Sequence, residues 1–342
     1  MTRKPAHPIS VPALCAWLSV LSLLPGCRKD LCYDHGEHGY AVRTYVVVDW
    51  EIEWERSYET DWESVWPATW PPYESLLPDT PDGVRAIVYK EGGGQSEYNI
   101  PAEGGRIYMD EGTNQLLFYN NDTEYIVFND LLSSASATAT TRTRTRGGFK
   151  ELHGEERTIA PPDMLFSAFI EDYEARKSYT TTEIPVTMRP LTYTYLVRYE
   201  FSAGQQYVAL ARGALAGMAE SVYLQDGHTG SSAATILYDC SMEDFGAVAL
   251  VPSFGVPDHP GDFYGGTRAA RTYSLNLDVK LTNGKMMSFD FDVTDQVSRQ
   301  PRGGVIIVRD IAITPEDAGG GGFDVDVDGW GEYQDVEMPP LS

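Results

Sequence analysis

Alternation of apolar and polar residues runs through this chain, and it admits few structures other than strands with one buried face. Val46, Val48, Trp50, Ile52 and Trp54 fall on one side of a pleated segment, with Val47, Asp49, Glu51, Glu53 and Glu55 on the other. Tyr193, Tyr195, Val197, Tyr199 and Phe201 alternate with Thr194, Leu196, Arg198 and Glu200. Residues 273–293 read as a hairpin. Tyr273, Leu275, Leu277, Val279 and Leu281 lead to Asn283-Gly284, and Met287, Phe289, Phe291 and Val293 follow. Asn-Gly suits a type I′ turn, whose two central residues need positive φ. Residues 84–90 and 304–313 give further strands, the first followed by a turn at Gly92-Gly93-Gly94. Residues 115–119 and 124–128 flank Asn120-Asn121-Asp122-Thr123 and predict a second hairpin.

Helical signals are few. Residues 208–220, rich in Ala and Leu, are the best candidate, and residues 163–170 suit a short helical turn. Residues 133–148 (SSASATATTRTRTRGG) hold almost no large apolar side chain. Such a segment buries too little surface to order itself and is expected to be a flexible loop. Its Arg142, Arg144 and Arg146 make it a target for a trypsin-like protease. A polar stretch at 176–186 is the expected domain boundary. The expectation is a mostly-β chain of two tandem sandwich domains, 27–180 and 181–342, with one or two short helices.

The first 26 residues are of another kind. Arg3 and Lys4 precede an apolar stretch from Val11 to Leu24, broken only by Ser19 and Ser22. The stretch is too short to span a bilayer, which takes about 20 apolar residues. A basic start, a short apolar run and a small residue before a cut describe a secretory signal peptide. Leu24-Pro25-Gly26-Cys27 resembles the bacterial lipobox, which makes Cys27 the expected lipid-attachment residue and 1–26 the removed segment. One acyl chain holds a protein only reversibly, whereas the several chains of such a cysteine, palmitate among them, hold it stably. The expected location is a membrane outside the cytoplasm, with the chain tethered to it and not threaded through it.

Charge narrows the partners. Residues 1–26 hold two basic and no acidic residues, so the remainder carries 24 Lys and Arg against 50 Asp and Glu, a formal charge of −26. That balance argues against nucleic acid or anionic lipid, both of which need basic patches. Cys32 and Cys240 are the cysteines left besides Cys27 and pair only if the fold joins them, which the export route permits.

No motif for catalysis is present: neither G-x-S-x-G, nor H-E-x-x-H, nor a P-loop. The chain is expected not to be an enzyme and to need no cofactor. Asp34-His35-Gly36-Glu37-His38 has metal-binding residue types, but a polar loop explains it better. Asp324-Val325-Asp326-Val327-Asp328-Gly329 matches half an EF-hand loop, yet its twelfth position is Asp335 and glycines replace the entering helix. Neither is taken as a metal site. Trp50, Trp54, Trp62, Trp66 and Trp70 lie within 21 residues and offer an alternative reading, a surface glycan-binding lipoprotein whose aromatic faces stack on sugars.

Four stretches carry a family resemblance: 27–35 (CRKDLCYDH), 46–50 (VVVDW), 211–227 (ARGALAGMAESVYLQDG) and 318–330 (AGGGGFDVDVDGW). With the lipobox, they make the chain resemble the fimbrial anchor (fimbrillin-associated) lipoproteins of Bacteroides-type bacteria, in a branch known only as a domain of unknown function. The resemblance implies two transthyretin-like β-sandwich domains on a lipidated N-terminus at the outer membrane, on its periplasmic or cell-surface side. It implies a structural anchor or accessory subunit of a fimbrium, in cell adhesion. The implied partners are fimbrial subunits, met by strand addition in which main-chain hydrogen bonds supply affinity.

Overall fold

A computed structural model describes residues 40–52, 77–264, 270–319 and 332–336. The chain begins with β1 (Ala41–Val42), β2 (Thr44–Trp50), β3 (Gly83–Lys90), β4 (Gln95–Pro101), β5 (Gly104–Ile107) and β6 (Gly112–Asn120). It continues through β7 (Ile126–Asn129), β8 (Thr138–Thr141), β9 (Thr143–Thr145), β10 (Arg157–Ile159), β11 (Phe166–Ala175) and β12 (Lys177–Ser178). Then come β13 (Thr182–Pro190), β14 (Tyr193–Ala203), β15 (Val208–Ala219), β16 (Ser221–Tyr223), β17 (Ala233–Glu243) and β18 (Gly246–Ser253). The last are β19 (Ser274–Leu281), β20 (Met286–Asp292), α1 (Thr294–Ser298), β21 (Gly304–Ala312), α2 (Pro315–Gly319) and β22 (Gln334–Val336). Among the described residues the protein is mostly β, with two short α-helices and sandwich-like sheets, as the alternation requires.

The first sheet runs β4-β3-β6-β11-β13-β2-β5. It folds on itself, so that Val84, Ala86, Val88, Leu116, Phe118 and Phe166 face Val46, Ile107, Ile184, Val186 and Met188. The outer face of β3 and β6 is buried as well: Ile87, Tyr89, Leu117 and Tyr119 pack against Ile126, Ala139 and Val222 of a small sheet ordered β16-β8-β7, and against Ala137 just before β8. A second, larger sheet runs β20-β19-β15-β17-β10-β9-β22, and β17 bends to pair β18, which continues through β14 to β21. Its core joins Tyr195, Val197, Tyr199, Ile306 and Val308 to Leu215, Ile236, Leu275, Leu277 and Val279. Each such side chain contributes about 1.5–3 kcal/mol by leaving water.

Several expectations need correction. Residues 208–220 are strand β15, not helix. They pair with β17 and β19 on both sides, and Gly213 explains the composition: a Cβ there would sit 2.1 Å from the Tyr238 ring. Small residues serve a close strand–aromatic contact here rather than helical propensity. Residues 163–170 enter strand β11, whose first residues pair β6 and β13.

Residues 133–148 are not a flexible loop. They hold β8 and β9, with Ala137, Ala139 and Thr141 buried. Small and β-branched side chains suffice where the neighbouring sheet lies close. β6 and β7 do not form a hairpin, since β6 pairs β3 and β11 while β7 pairs β8.

The β19–β20 hairpin stands as expected, but its turn differs. Gly284 has φ +88° and Asn283 has no positive φ, so the connection is the three-residue kind, closed by Leu281 N–H donating to Lys285 O at 2.9 Å. Asn283 uses its side chain instead, donating Nδ2 to Ala318 O at the end of α2 (2.9 Å).

The strand order also departs from the expected division at 180. β13 stays in the first sheet because its alternating Ile184, Val186 and Met188 fill that core, and the change of sheet falls between Pro190 and Tyr193. β10, from the first half, pairs in parallel with β17 of the second.

Candidate functional site

β11 and β13 are neighbours that barely pair. Their ladder holds Phe166 opposite Pro190 and Ser167 opposite Arg189, then stops. Two features of the sequence end it. Pro185 has no N–H to offer across the gap. On the other wall, β11 shifts register between Ile170 and Tyr173, a bulge that turns the strand away. From there β11 pairs only β6 and β13 only β2.

The bonding pattern shows which backbone groups face the gap. Leu191 N–H donates to Leu165 O at 2.7 Å, so odd-numbered residues of both strands point toward each other. Met188 O accepts from Glu51 N–H at 2.9 Å, so even-numbered residues of β13 serve β2. The next pair in register, Phe169 and Thr187, directs its N–H and C=O groups into the split without joining the ladder. A cleft of about 300 Å³ occupies this place, lined by Phe169, Ile170, Val186, Thr187, Leu191 and Asp226 among others. The lining mixes apolar Phe169, Ile170 and Leu191 with polar Thr187, Arg189 and Asp226, and strand addition draws affinity from unpaired backbone and specificity from such side chains.

The closed end of the split is clamped. Leu165 N–H donates to Thr192 Oγ1 (3.2 Å), which donates to Asp163 O (2.8 Å). The Asp163 carboxylate accepts from the N–H groups of Glu124, Tyr125 and Ile126 at 2.8, 2.5 and 3.3 Å, fixing the entry to β7. Beside the cleft, Asp226 Oδ1 lies 2.5 Å from His228 Nδ1. The His228 ring is stacked between Tyr223 at 3.8 Å and Phe263 at 3.9 Å, giving that end a rigid wall.

The residues expected from sequence fall elsewhere. Cys27, Cys32, His35, His38, Trp54, Trp62, Trp66, Trp70 and Asp324 to Gly329 lie outside the described residues. Trp50 belongs to the core: its Nε1 donates to Ala102 O (2.9 Å) and it meets Phe166 edge to face at 5.3 Å. Cys240 is a free thiol in β17. The arginines of 142–146 are built in rather than displayed. Arg144 makes two hydrogen bonds to Asp335 (2.7 and 3.1 Å), and Arg146 Nη2 donates to Asp278 (2.6 Å) with its side chain 2% exposed. Among the described residues no group of three His, Cys, Asp or Glu is placed to hold a metal, and no helix is long and apolar enough to cross a membrane.

Nothing in the alternation marks the split. Its one local sign is Pro185 between apolar strand positions.

Comparison with known proteins supplies the remaining context. Residues 73–239 match a domain of unknown function, DUF5119. A Bacteroides ovatus protein named as a candidate fimbrium anchoring subunit, Fim4B, is 23% identical over 94% of this chain and 96% of its own. A crystal structure of a candidate adhesin from Bacteroides ovatus shares the fold, with a TM-score of 0.55 and 19% identity over 80% of this chain and 93% of that one. The fimbrial anchor protein Mfa2 from Porphyromonas gingivalis is a looser likeness, at TM-score 0.42 and 13% identity over 78% of this chain and 90% of its own. Residues 73–239 are thus similar to DUF5119, and the chain, as its four sequence stretches imply, resembles the fimbrial anchor proteins of Bacteroides-type bacteria.

Proposed function

We propose that this chain is a structural accessory of a fimbrium, an anchor or neighbouring subunit, tethered to the outer membrane through lipid on Cys27. It meets fimbrial subunits by accepting an extended strand in the split between β11 and β13. The observation that carries this reading is the interrupted ladder: two adjacent strands with backbone groups turned toward a cleft of mixed polar and apolar lining, and no partner strand between them among the described residues. The full-length likeness to a protein named for fimbrium anchoring supports the same reading. The role is mechanical, and no catalytic chemistry is assigned to it. With Trp50 committed to the core, the glycan alternative keeps no described platform from that cluster.

Thr187→Pro tests the strand contact. The Thr187 N–H faces the split and serves no ladder bond, so its removal should spare the fold and remove one donor from an incoming strand. Capture of fimbrial subunits from outer membranes, identified by mass spectrometry, should fall with the variant. Equal capture by both proteins sinks the assigned site, and no fimbrial subunit with the native chain sinks the function. Fractionation tests the tether separately: Cys27→Ser should move the chain to the soluble fraction, and continued membrane residence overturns the lipid assignment.

A further inference from the structure

β21 ends its sheet, paired in parallel with β14 on one side. Its sequence, GVIIVRDIA, is long, apolar and β-branched, with no proline. An edge of that kind is a template for another strand.

The outward groups of Val305 and Ile307, in the first half of β21, are already taken, and by side chains. Gln296 Oε1 accepts from Ile307 N–H (2.9 Å) while its Nε2 donates to Ile307 O (3.0 Å). Gln300 Oε1 accepts from Val305 N–H (2.7 Å) while its Nε2 donates to Val305 O (2.9 Å). Each carboxamide therefore offers one donor and one acceptor to one residue, as a neighbouring strand residue does.

The spacings agree. Gln296 lies in α1 and Gln300 two residues past its end, with Gln300 N–H still donating to Val297 O (3.0 Å); four residues at helical rise span about 6 Å, and alternate residues of a strand about 6.6 Å. The helix is held in place for this. Val297 is fully buried, Tyr195 Oη donates to Gln300 O (2.6 Å), and Pro301 O accepts from Val256 N–H (2.9 Å). Gly304 leaves the necessary room, since a Cβ there would lie 2.1 Å from Gln300 Oε1. Beyond Ile307 the edge bends by itself: the register slips twice against β14, and Asp310 adopts φ +63°.

We propose that Gln296 and Gln300 form an edge guard that excludes a second copy of this chain from β21, and so keeps strand exchange away from this end of the molecule. A second copy is the occupant to exclude because the same apolar edge on it supplies a matching strand at the same concentration. Two such edges pair symmetrically, as in a two-fold interface.

The test is a Gln296→Ala/Gln300→Ala double variant of the full chain, measured by size-exclusion chromatography with light scattering. The dimer fraction at fixed concentration should rise on the order of tenfold, corresponding to about 1.4 kcal/mol. Hydrogen exchange of Val305 and Ile307 separates pairing from loosening, since both amides stay protected in a β21-mediated dimer. A variant that keeps its circular dichroism, stays monomeric and exchanges both amides freely overturns the proposal. Should the double variant not fold, the single variants Gln296→Ala and Gln300→Ala carry the same test. Each leaves half of the guard and should dimerise more than native and less than fully unguarded protein. No dimer from either overturns the guard.

Discussion

The split at β11–β13 and the guarded edge of β21 are opposite answers to one problem, backbone hydrogen-bonding groups left over where a ladder stops. At β21 the leftover groups of Val305 and Ile307 are met by two glutamine side chains, Gln296 of α1 and Gln300 just past its end. At β11 and β13 they are left facing each other, with proline on one wall and a bulge on the other to keep them apart. A buried backbone group without a partner is costly, so the β21 edge shows that this chain can satisfy such groups locally. On the strand-acceptance proposal, the open split is the place where such groups are satisfied from outside.

The contrast can be broken most severely at the clamp. Asp163→Ala removes an acceptor used by three backbone N–H groups and should lower stability by about 2–3 kcal/mol, read as a shift in a urea unfolding midpoint. An unchanged midpoint would mean that the closed end of the split does not depend on the clamp. Thr187→Pro should be selective instead. It is expected to weaken strand capture on the order of tenfold, or about 1.4 kcal/mol, with the unfolding midpoint nearly unmoved. A large loss of stability there would show Thr187 N–H to be structural. The smallest effect belongs to Arg309, which pairs with Glu200 at 3.0 Å on the far half of β21 with its side chain 62% exposed. Arg309→Ala should change stability by no more than about 0.5 kcal/mol and leave the chain monomeric. Dimerisation of that variant would transfer the guard from the glutamines to the charge pair.

The sequence makes the strands with one wet face legible, because period-two alternation is a direct image of a half-buried pleat. β2, β14, β19, β20 and β21 all lie where alternation or an apolar run puts them. It misleads where both faces are buried or where space is short. β15 carries Gly213 because the Tyr238 ring leaves no room for a side chain there, and with the strand's alanines it imitates a helix. β8 and β9 carry Thr, Ala and Arg, and each takes one partner near in sequence and one remote, β16 and β22, which no local window contains. The split is hidden for a related reason. It depends on two strands failing to continue a ladder, and only Pro185 betrays that locally. The guard is equally concealed, since Gln296 and Gln300 are ordinary surface residues until Val305 and Ile307 lie beside them.

β9 has a consequence in time as well as in space. One of its neighbours is β10, close behind it in the chain, and the other is β22, whose Asp335 lies 191 residues from Arg144. Contacts at such separation form slowly, because a long loop must close before they exist. During synthesis from the N-terminus, the outer edge of β9 stays bare until residues 334–336 arrive, long after β10 can pair. The segment least like a strand in composition is thus completed last, and a nascent chain is open to stray pairing there for most of its assembly.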